Sequence, residues 1–187
     1  MDVGLIGRAA AMFAVTNVDD LVLLAVFFGQ AAGRRSELKV VAGQFLGFAA
    51  ILAASIAGAL GTGLLPDSAV RWLGVLPVLL GIRAAWQAWR RDDDEPVPAS
   101  GVLAVAAVCF ANGGDNIGVY VPAFAATGPA GLAGYGVVFL VGVAAWCVIG
   151  RFLTTRPGVA RALARWGHVV LPVVLIALGV LILVGAF

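Results

Sequence analysis

Two short polar motifs interrupt apolar stretches of this chain, and both have the pattern Asn-x-x-Asp. The first contains Asn17, Asp19 and Asp20, and the second contains Asn112 and Asp115. The Asn and the last Asp of the first motif each lie 95 residues before their counterparts in the second. Carboxylate and amide oxygens are ligands for divalent cations. Because an ionised carboxylate at membrane depth is costly and usually marks an ion path, the matched pair indicates ion handling.

Helical spacing decides which neighbours share a face with these motifs. Residues three or four positions apart lie on one face, so Thr16 and Asn116 join their respective Asn-Asp pairs. In a regular helix, Asp19 points about 100° away from Asp20. The predicted metal ligands are Asn17, Asp19, Asp20, Asn112, Asp115 and Asn116, and the weaker candidates are Thr16, Gln44, Cys109 and Tyr120.

The carboxylates are also the candidates for proton coupling. Three acids at short range cannot all stay ionised without a compensating cation or proton. Asp19, Asp20 and Asp115 are therefore expected to bind metal when ionised and to release it when protonated. His168, the only histidine, is a weaker candidate for a proton relay. A purely structural role, in which the polar groups bond one another across helices, is the alternative.

Composition places these motifs in a membrane protein. The chain has 187 residues, 62% hydrophobic and 12% charged, whereas a soluble domain is about half apolar and about a quarter charged. A bilayer crossing needs about 20 mostly apolar residues. Six segments qualify, at roughly Leu5–Ala31, Val40–Leu65, Val70–Trp89, Gly101–Phe124, Leu132–Phe152 and Val169–Phe187. These segments make the lipid bilayer the expected partner. Nucleic acid is not expected, because the net charge is only +2 and the basic residues lie at helix ends.

The offset of 95 residues continues outside the polar motifs and indicates an internal repeat. Gly47 matches Gly142, and Pro77 matches Pro172. Each half then has three helices, and an odd number of crossings turns the second half upside down. The predicted fold is an all-α membrane protein of six transmembrane helices in two inverted three-helix repeats, which is a common plan among secondary transporters.

Basic residues orient the helices, since they concentrate in cytoplasmic loops. Ten of the twelve Lys and Arg residues lie around the loops that follow the first, third and fifth predicted helices. Those loops are predicted to be cytoplasmic, and both termini to lie outside. Residues 1–187 form one transmembrane domain, with repeats at about 1–91 and 100–187 and a cytoplasmic linker at about 92–99.

The chain resembles the bacterial cadmium-resistance transporter family, which belongs to the lysine-exporter superfamily. The resemblance covers essentially the whole chain and depends on the runs Thr16 to Leu21, Phe110 to Pro122 and Gly167 to Pro172. It implies an exporter of divalent metal in the bacterial plasma membrane, with cadmium as the expected substrate. It also implies a fold of two inverted three-helix repeats.

The resulting hypothesis is a secondary transporter, not an enzyme, that exports divalent heavy-metal cations by proton antiport. The nucleotide-binding pattern G-x-x-x-x-G-K-[ST] does not occur, so the energy must come from an ion gradient or a partner. Metal is the transported substrate, no cofactor is expected, and a homo-oligomer is compatible with the sequence.

Several alternatives remain open at this point. Cadmium favours thiolate ligands, and Cys109 lies about 10 Å from Asn116 along a straight helix. The oxygen-rich cluster suits Mn²⁺ equally well. Export of a small amino acid or organic cation is the other transport alternative, and an intramembrane enzyme and a passive channel are alternatives of a different class.

Overall fold

The described part of the chain consists of helices and contains no strand. The computed structural model describes residues 3–62 and 101–156, with isolated positions between 72 and 86 and between 158 and 184. Within the two ranges the helices are α1 (Val3–Thr16), α2 (Val18–Gln30), α3 (Arg34–Gly61), α4 (Val102–Asn112), α5 (Gly114–Ala125) and α6 (Gly128–Leu153). The all-α prediction is confirmed for this part.

Up to four of the predicted bilayer crossings fall within the described residues. α3 and the Gly131–Leu153 part of α6 are each long and apolar enough to cross a membrane. The other two candidates are bent pairs, in which α1 meets α2 at 58° and α4 meets α5 at 62°. The predicted helices at 70–89 and 169–187 lie mostly outside the described residues, and so do Pro77, Pro172, His168 and the linker at 92–99.

Both bends fall at the polar motifs. Asn17 separates α1 from α2 with φ −116° and ψ 21°, and Gly113 separates α4 from α5 with φ −88° and ψ 14°. The second break has a local cause, because the paired glycines Gly113 and Gly114 weaken a helix. The first break was not predicted, and the assumption of a regular helix around Asn17 is wrong. Broken backbone inside a membrane needs partners other than lipid.

The long helix of each half packs against the bent pair of the other half. α3 lies along α4 and α5, whereas α6 lies along α1 and α2. The helices also correspond in order, since a short pair followed by one long helix occurs twice. This correspondence supports a repeat, while the inversion of its second copy stays a prediction.

Matched glycines allow the long helices to come close to the bent pairs. A Cβ at Gly47 on α3 would lie 2.6 Å from the carbonyl oxygen of Ala106 on α4. A Cβ at Gly142 on α6 would lie 2.5 Å from the ring of Phe13 on α1. The two glycines that match at the repeat offset therefore occupy equivalent contacts. Small residues commonly let membrane helices approach closely in this way.

Gly47→Ala should destabilise the protein, whereas Gly136→Ala should not. The carbonyl group of Ala106 is part of the main chain, so it moves only if α4 moves, and the expected cost is about 1–3 kcal/mol. A Cβ at Gly136 meets nothing within 4 Å. Thermal unfolding of the two variants in detergent measures the difference. An unchanged unfolding temperature for Gly47→Ala would contradict the close approach of α3 to α4.

An ion pair fixes the relative direction of the two long helices. Arg151 Nη2 lies 3.0 Å from Glu37 Oε2, so the last turn of α6 meets the first turn of α3. The start of α3 and the end of α6 therefore lie at the same end of the bundle, as the predicted topology requires. The assignment of that end to the cytoplasm stays a prediction.

Candidate metal site

The two helix breaks meet and bring both polar motifs into one cluster. Asn112 Nδ2 donates to Asp19 Oδ2 and to Asp20 Oδ1, each at 3.0 Å. Asn116 Nδ2 donates to Asn17 Oδ1 at 3.2 Å. Each Asn-x-x-Asp motif therefore contacts the other directly, across about ninety residues of sequence.

Asp20 is the buried centre of the carboxylate part of the cluster. Its side chain is only 3% exposed, and its Oδ2 accepts a hydrogen bond from Gln44 Nε2 at 2.8 Å. Its Oδ1 accepts from Asn112. Two side-chain amides, from α3 and α4, thus hold this carboxylate in place.

Asp19 lies beside Asp20 and shares one of its donors. Its Oδ1 accepts from the main-chain N–H of Asp20 at 3.1 Å, and its Oδ2 accepts from Asn112. Both acids lie in the first turn of α2, and the single amide of Asn112 reaches both carboxylates.

The breaks supply favourable electrostatics for both signs of charge. Asp19 and Asp20 lie in the first turn of α2, and Asp115 lies in the first turn of α5. The N-terminal end of a helix favours negative side chains. The C-terminal ends of α1 and α4 lie at the same two breaks, and such ends present carbonyl oxygens that suit a cation.

Asp115 is the third acid of the cluster. It is half-buried and interacts electrostatically with both Asp19 and Asp20. No basic side chain of the described part pairs with Asp19 or Asp20. The described residues also hold no compact group of three His, Cys, Asp or Glu side chains that alone would bind a metal ion. A cation at this place would therefore need the amides as well as the acids.

A second part of the cluster surrounds Asn17 with neutral groups. The Tyr120 hydroxyl lies 2.8 Å from Thr16 Oγ1 and accepts a hydrogen bond from Asn17 Nδ2 at 2.8 Å. The indole N–H of Trp146 donates to the main-chain oxygen of Asn17. Thr16, Asn17 and Tyr120 are at most 2% exposed. This part of the cluster joins α1, α5 and α6 at the first break.

The weaker candidates divide into two groups. Thr16, Gln44 and Tyr120 have polar contacts within the cluster, as described above. Cys109 contacts the main chain instead: its thiol lies 3.8 Å from the main-chain oxygen of Gln44, between α4 and α3, and it interacts electrostatically with Asp20 and Asp19. His168 lies outside the described residues.

Trp146 was missed by the sequence analysis. Its only signal is its position, since it falls inside a predicted membrane helix rather than near the helix ends, where tryptophan commonly anchors a protein at the lipid interface. An indole N–H buried at such a depth usually has a hydrogen-bond partner. The structure provides that partner in the main chain of Asn17.

The amide groups that now donate hydrogen bonds to the carboxylates could instead offer their oxygens to a cation. Every buried side-chain nitrogen and oxygen of the described residues has a hydrogen-bond partner. Around Asp20 these partners are the N–H groups of Asn112 and Gln44. An amide carries an oxygen beside its nitrogen, so a half-turn of either side chain would present a ligand where a donor now lies.

Comparisons with known proteins point to a transporter family. The family model described as Cadmium resistance transporter matches residues 13–186. Comparisons with curated proteins and with solved structures gave no match. The matched range contains both polar motifs and every residue of the cluster described above.

Proposed function

The chain belongs to the cadmium resistance transporter family, and from this premise we propose that it exports divalent metal cations, with Cd²⁺ favoured, through the cluster at the two helix breaks. The observation that carries the proposal is the adjacent pair Asp19 and Asp20, which amides hold without a basic partner in the described part. Charged groups at membrane depth that lack such a partner mark ion pathways.

The proposed metal site combines acids and amides from both halves of the chain. Asp19, Asp20 and Asp115 supply carboxylate oxygens, and Asn17, Asn112 and Asn116 supply amide oxygens. Asn112 has the central part, because it already contacts two of the acids. On loading, its amide turns so that Oδ1 replaces Nδ2 on the side of the acids.

Proton antiport follows from the same carboxylates. Adjacent acids in a water-poor site need a cation or a proton to compensate their charge. Metal binding therefore expels protons, and protonation expels metal, at one place. An inward proton gradient would then drive metal outward across the bacterial plasma membrane, without a nucleotide and without a separate relay.

Binding of Cd²⁺ to the purified protein should release protons and should weaken as the pH falls from about 7.5 to about 5.5, because carboxylate ligands bind metal only when deprotonated. Calorimetric titration in buffers that differ in ionisation enthalpy counts the protons. Glu37→Gln is the matched control, since Glu37 pairs with Arg151 at the end of the bundle. This substitution should leave the number of protons released for each Cd²⁺ unchanged. Binding without proton release at either pH would rule out direct competition and make His168 the next candidate.

The oxygen-rich surroundings keep manganese as a second candidate substrate. The ligands proposed are all oxygens, which suit Mn²⁺, whereas cadmium favours sulfur, and the Cys109 thiol faces the main chain of Gln44. Titration of the same protein with Cd²⁺, Zn²⁺, Mn²⁺ and lysine ranks the substrates. Tighter binding of Mn²⁺ than of Cd²⁺ would make manganese the proposed substrate. Binding of lysine alone would contradict metal export and support amino-acid export.

Transport in proteoliposomes separates an antiporter from a passive channel. An imposed proton gradient should drive Cd²⁺ against its own concentration gradient. Simple equilibration of Cd²⁺, unaffected by the proton gradient, would show a channel.

The proposed orientation, with both termini outside, places the end that carries the Arg151–Glu37 ion pair on the cytoplasmic side.

A further inference from the structure

Asn17 is held by hydrogen bonds to both its side chain and its main chain. Its Nδ2 lies 2.8 Å from the Tyr120 hydroxyl, 2.9 Å from Thr16 Oγ1 and 2.9 Å from the main-chain oxygen of Phe13, so its two hydrogens are shared among three acceptors. Its Oδ1 accepts from Asn116, and its main-chain oxygen accepts from Trp146. The side chain is 1% exposed.

These contacts fix the direction of the Asn17 amide. A carbonyl oxygen such as that of Phe13 cannot donate a hydrogen bond, so it must face the amide nitrogen. Turning the amide would place Oδ1 against the main-chain oxygen of Phe13. It would also remove the hydrogen bond that the Tyr120 hydroxyl accepts from Asn17. Oδ1 therefore always points toward Asn116, on the side of the second motif.

Asn112, the counterpart of Asn17 in the second motif, has the opposite arrangement. Its Nδ2 faces the carboxylates of Asp19 and Asp20, and it must turn before its oxygen can bind a metal. Its side chain is only half-buried, and Gly113 follows it at the break. One motif thus presents its amide oxygen in advance, while the other has to rearrange.

The Tyr120 hydroxyl is part of a directed chain of hydrogen bonds. Thr16 Oγ1 donates to the main-chain oxygen of Met12 at 2.9 Å, so Tyr120 donates to Thr16 and accepts from Asn17. Both functions of the hydroxyl are therefore used in holding Asn17.

The ring of Tyr120 cannot move away from this position. It is fully buried, and it packs against the rings of Phe139 and Phe124, with centroids 4.9 Å and 5.7 Å apart. The hydroxyl is consequently held from the opposite side by aromatic packing. A rigid group that bonds a ligand amide is the arrangement by which outer residues orient ligands in metal sites.

We propose that Tyr120 is a positioning residue that fixes the oxygen of Asn17 toward the metal, and that it does not itself bind metal. This inference rests on the proposed function of the same site. Asn17 then enters the loaded site without turning its own amide, and in this contact only its partner Asn116 has to turn, which raises affinity by preorganisation. Thr16 acts with Tyr120 at the amide nitrogen, and Trp146 acts on the main chain at the same residue.

Tyr120→Phe tests the inference, because it removes the hydroxyl and keeps the ring. We expect the affinity for Cd²⁺ to fall by about 10–100-fold, as for other residues that orient metal ligands. Tyr135→Phe is the matched control. Tyr135 belongs to the same aromatic cluster, with its ring centroid 5.7 Å from that of Phe139, but it has no described contact with Asn17, so the affinity should not change.

A double-mutant cycle with Asn17→Ala distinguishes positioning from direct ligation. If Tyr120 acts through Asn17, Tyr120→Phe should cause no further loss of Cd²⁺ affinity once Asn17 is alanine. A full additional loss would make Tyr120 a ligand and overturn the inference. Thr16→Val, which removes the other hydroxyl, should behave in the same way and provides the test if Tyr120→Phe does not fold.

The outcomes also separate this inference from the proposed function. Wild-type protein that binds Cd²⁺, together with a Tyr120→Phe variant of equal affinity and equal unfolding temperature, would overturn the positioning role alone. Wild-type protein that binds neither Cd²⁺, Zn²⁺ nor Mn²⁺ would overturn the proposed function, and the positioning role with it.

Discussion

Asp20→Asn is expected to abolish cadmium export and to lower the affinity for Cd²⁺ by at least about 100-fold, beyond the loss seen when only an orienting group is removed. The substitution keeps the shape of the side chain but removes the charge that the metal compensates. Both carboxylate oxygens now accept hydrogen bonds from amide N–H groups, those of Gln44 and Asn112. The amide of Asn at position 20 would place its own N–H groups against one of these donors, so that one hydrogen bond would be lost.

Three matched variants make the result specific. Asp115→Asn should have the same effect, because Asp115 interacts with both acids of the first motif. Glu37→Gln removes an equal charge at the end of the bundle, where Glu37 pairs with Arg151, and should keep export. Asp19→Asn should also impair binding, since Asp19 shares the donor Asn112.

Cd²⁺ flux into everted vesicles, normalised to the amount of folded protein, measures export. Normal flux with Asp20→Asn would remove Asp20 from the mechanism.

Asn112→Leu should lose Cd²⁺ binding, whereas Asn112→Asp should retain it. Leucine fills a similar volume but supplies neither the N–H groups that bridge Asp19 and Asp20 nor an oxygen for the metal. Aspartate supplies the oxygen but not the bridge, and it adds a fourth acid. We therefore expect Asn112→Asp to release more protons for each Cd²⁺ bound than the wild type does, because the metal-free state must carry an extra proton.

Calorimetry on the two Asn112 variants separates the two roles of this side chain. An affinity of Asn112→Leu within about threefold of the wild type, a difference of less than about 0.7 kcal/mol, would show that the amide oxygen is not a ligand. Loss of binding in both variants would show instead that the bridging N–H groups are what the site requires.

The polar motifs could be recognised from the sequence because their residue types are rare in apolar helices. Asn17, Asp20, Asn112 and Asp115 stand out against such a background, and their common offset indicated that they would meet. The break at Gly113 was also suggested locally, since paired glycines are poor helix formers. The match of Gly47 with Gly142 was noted only as part of the repeat, and the structure adds that both glycines lie at close helix contacts.

The break at Asn17 could not be found in the same way, because it depends on distant residues. Tyr120 and Trp146, which bond to Asn17, lie 103 and 129 positions away in the chain. Asparagine has only a moderate preference against helices, so the local sequence gives no reason for a break.

The packing of each long helix on the opposite half has a consequence for how the protein is made. Trp146 of α6 covers the break at Asn17, and Ile51 of α3 covers the break at Gly113. Bare main-chain polar groups are not tolerated against hydrocarbon. During synthesis α3 is already inserted when the second bent pair emerges, but the first bent pair precedes its own cover, α6, by about a hundred residues. The break at Asn17 can therefore gain its cover from Trp146 only after α6 has been made.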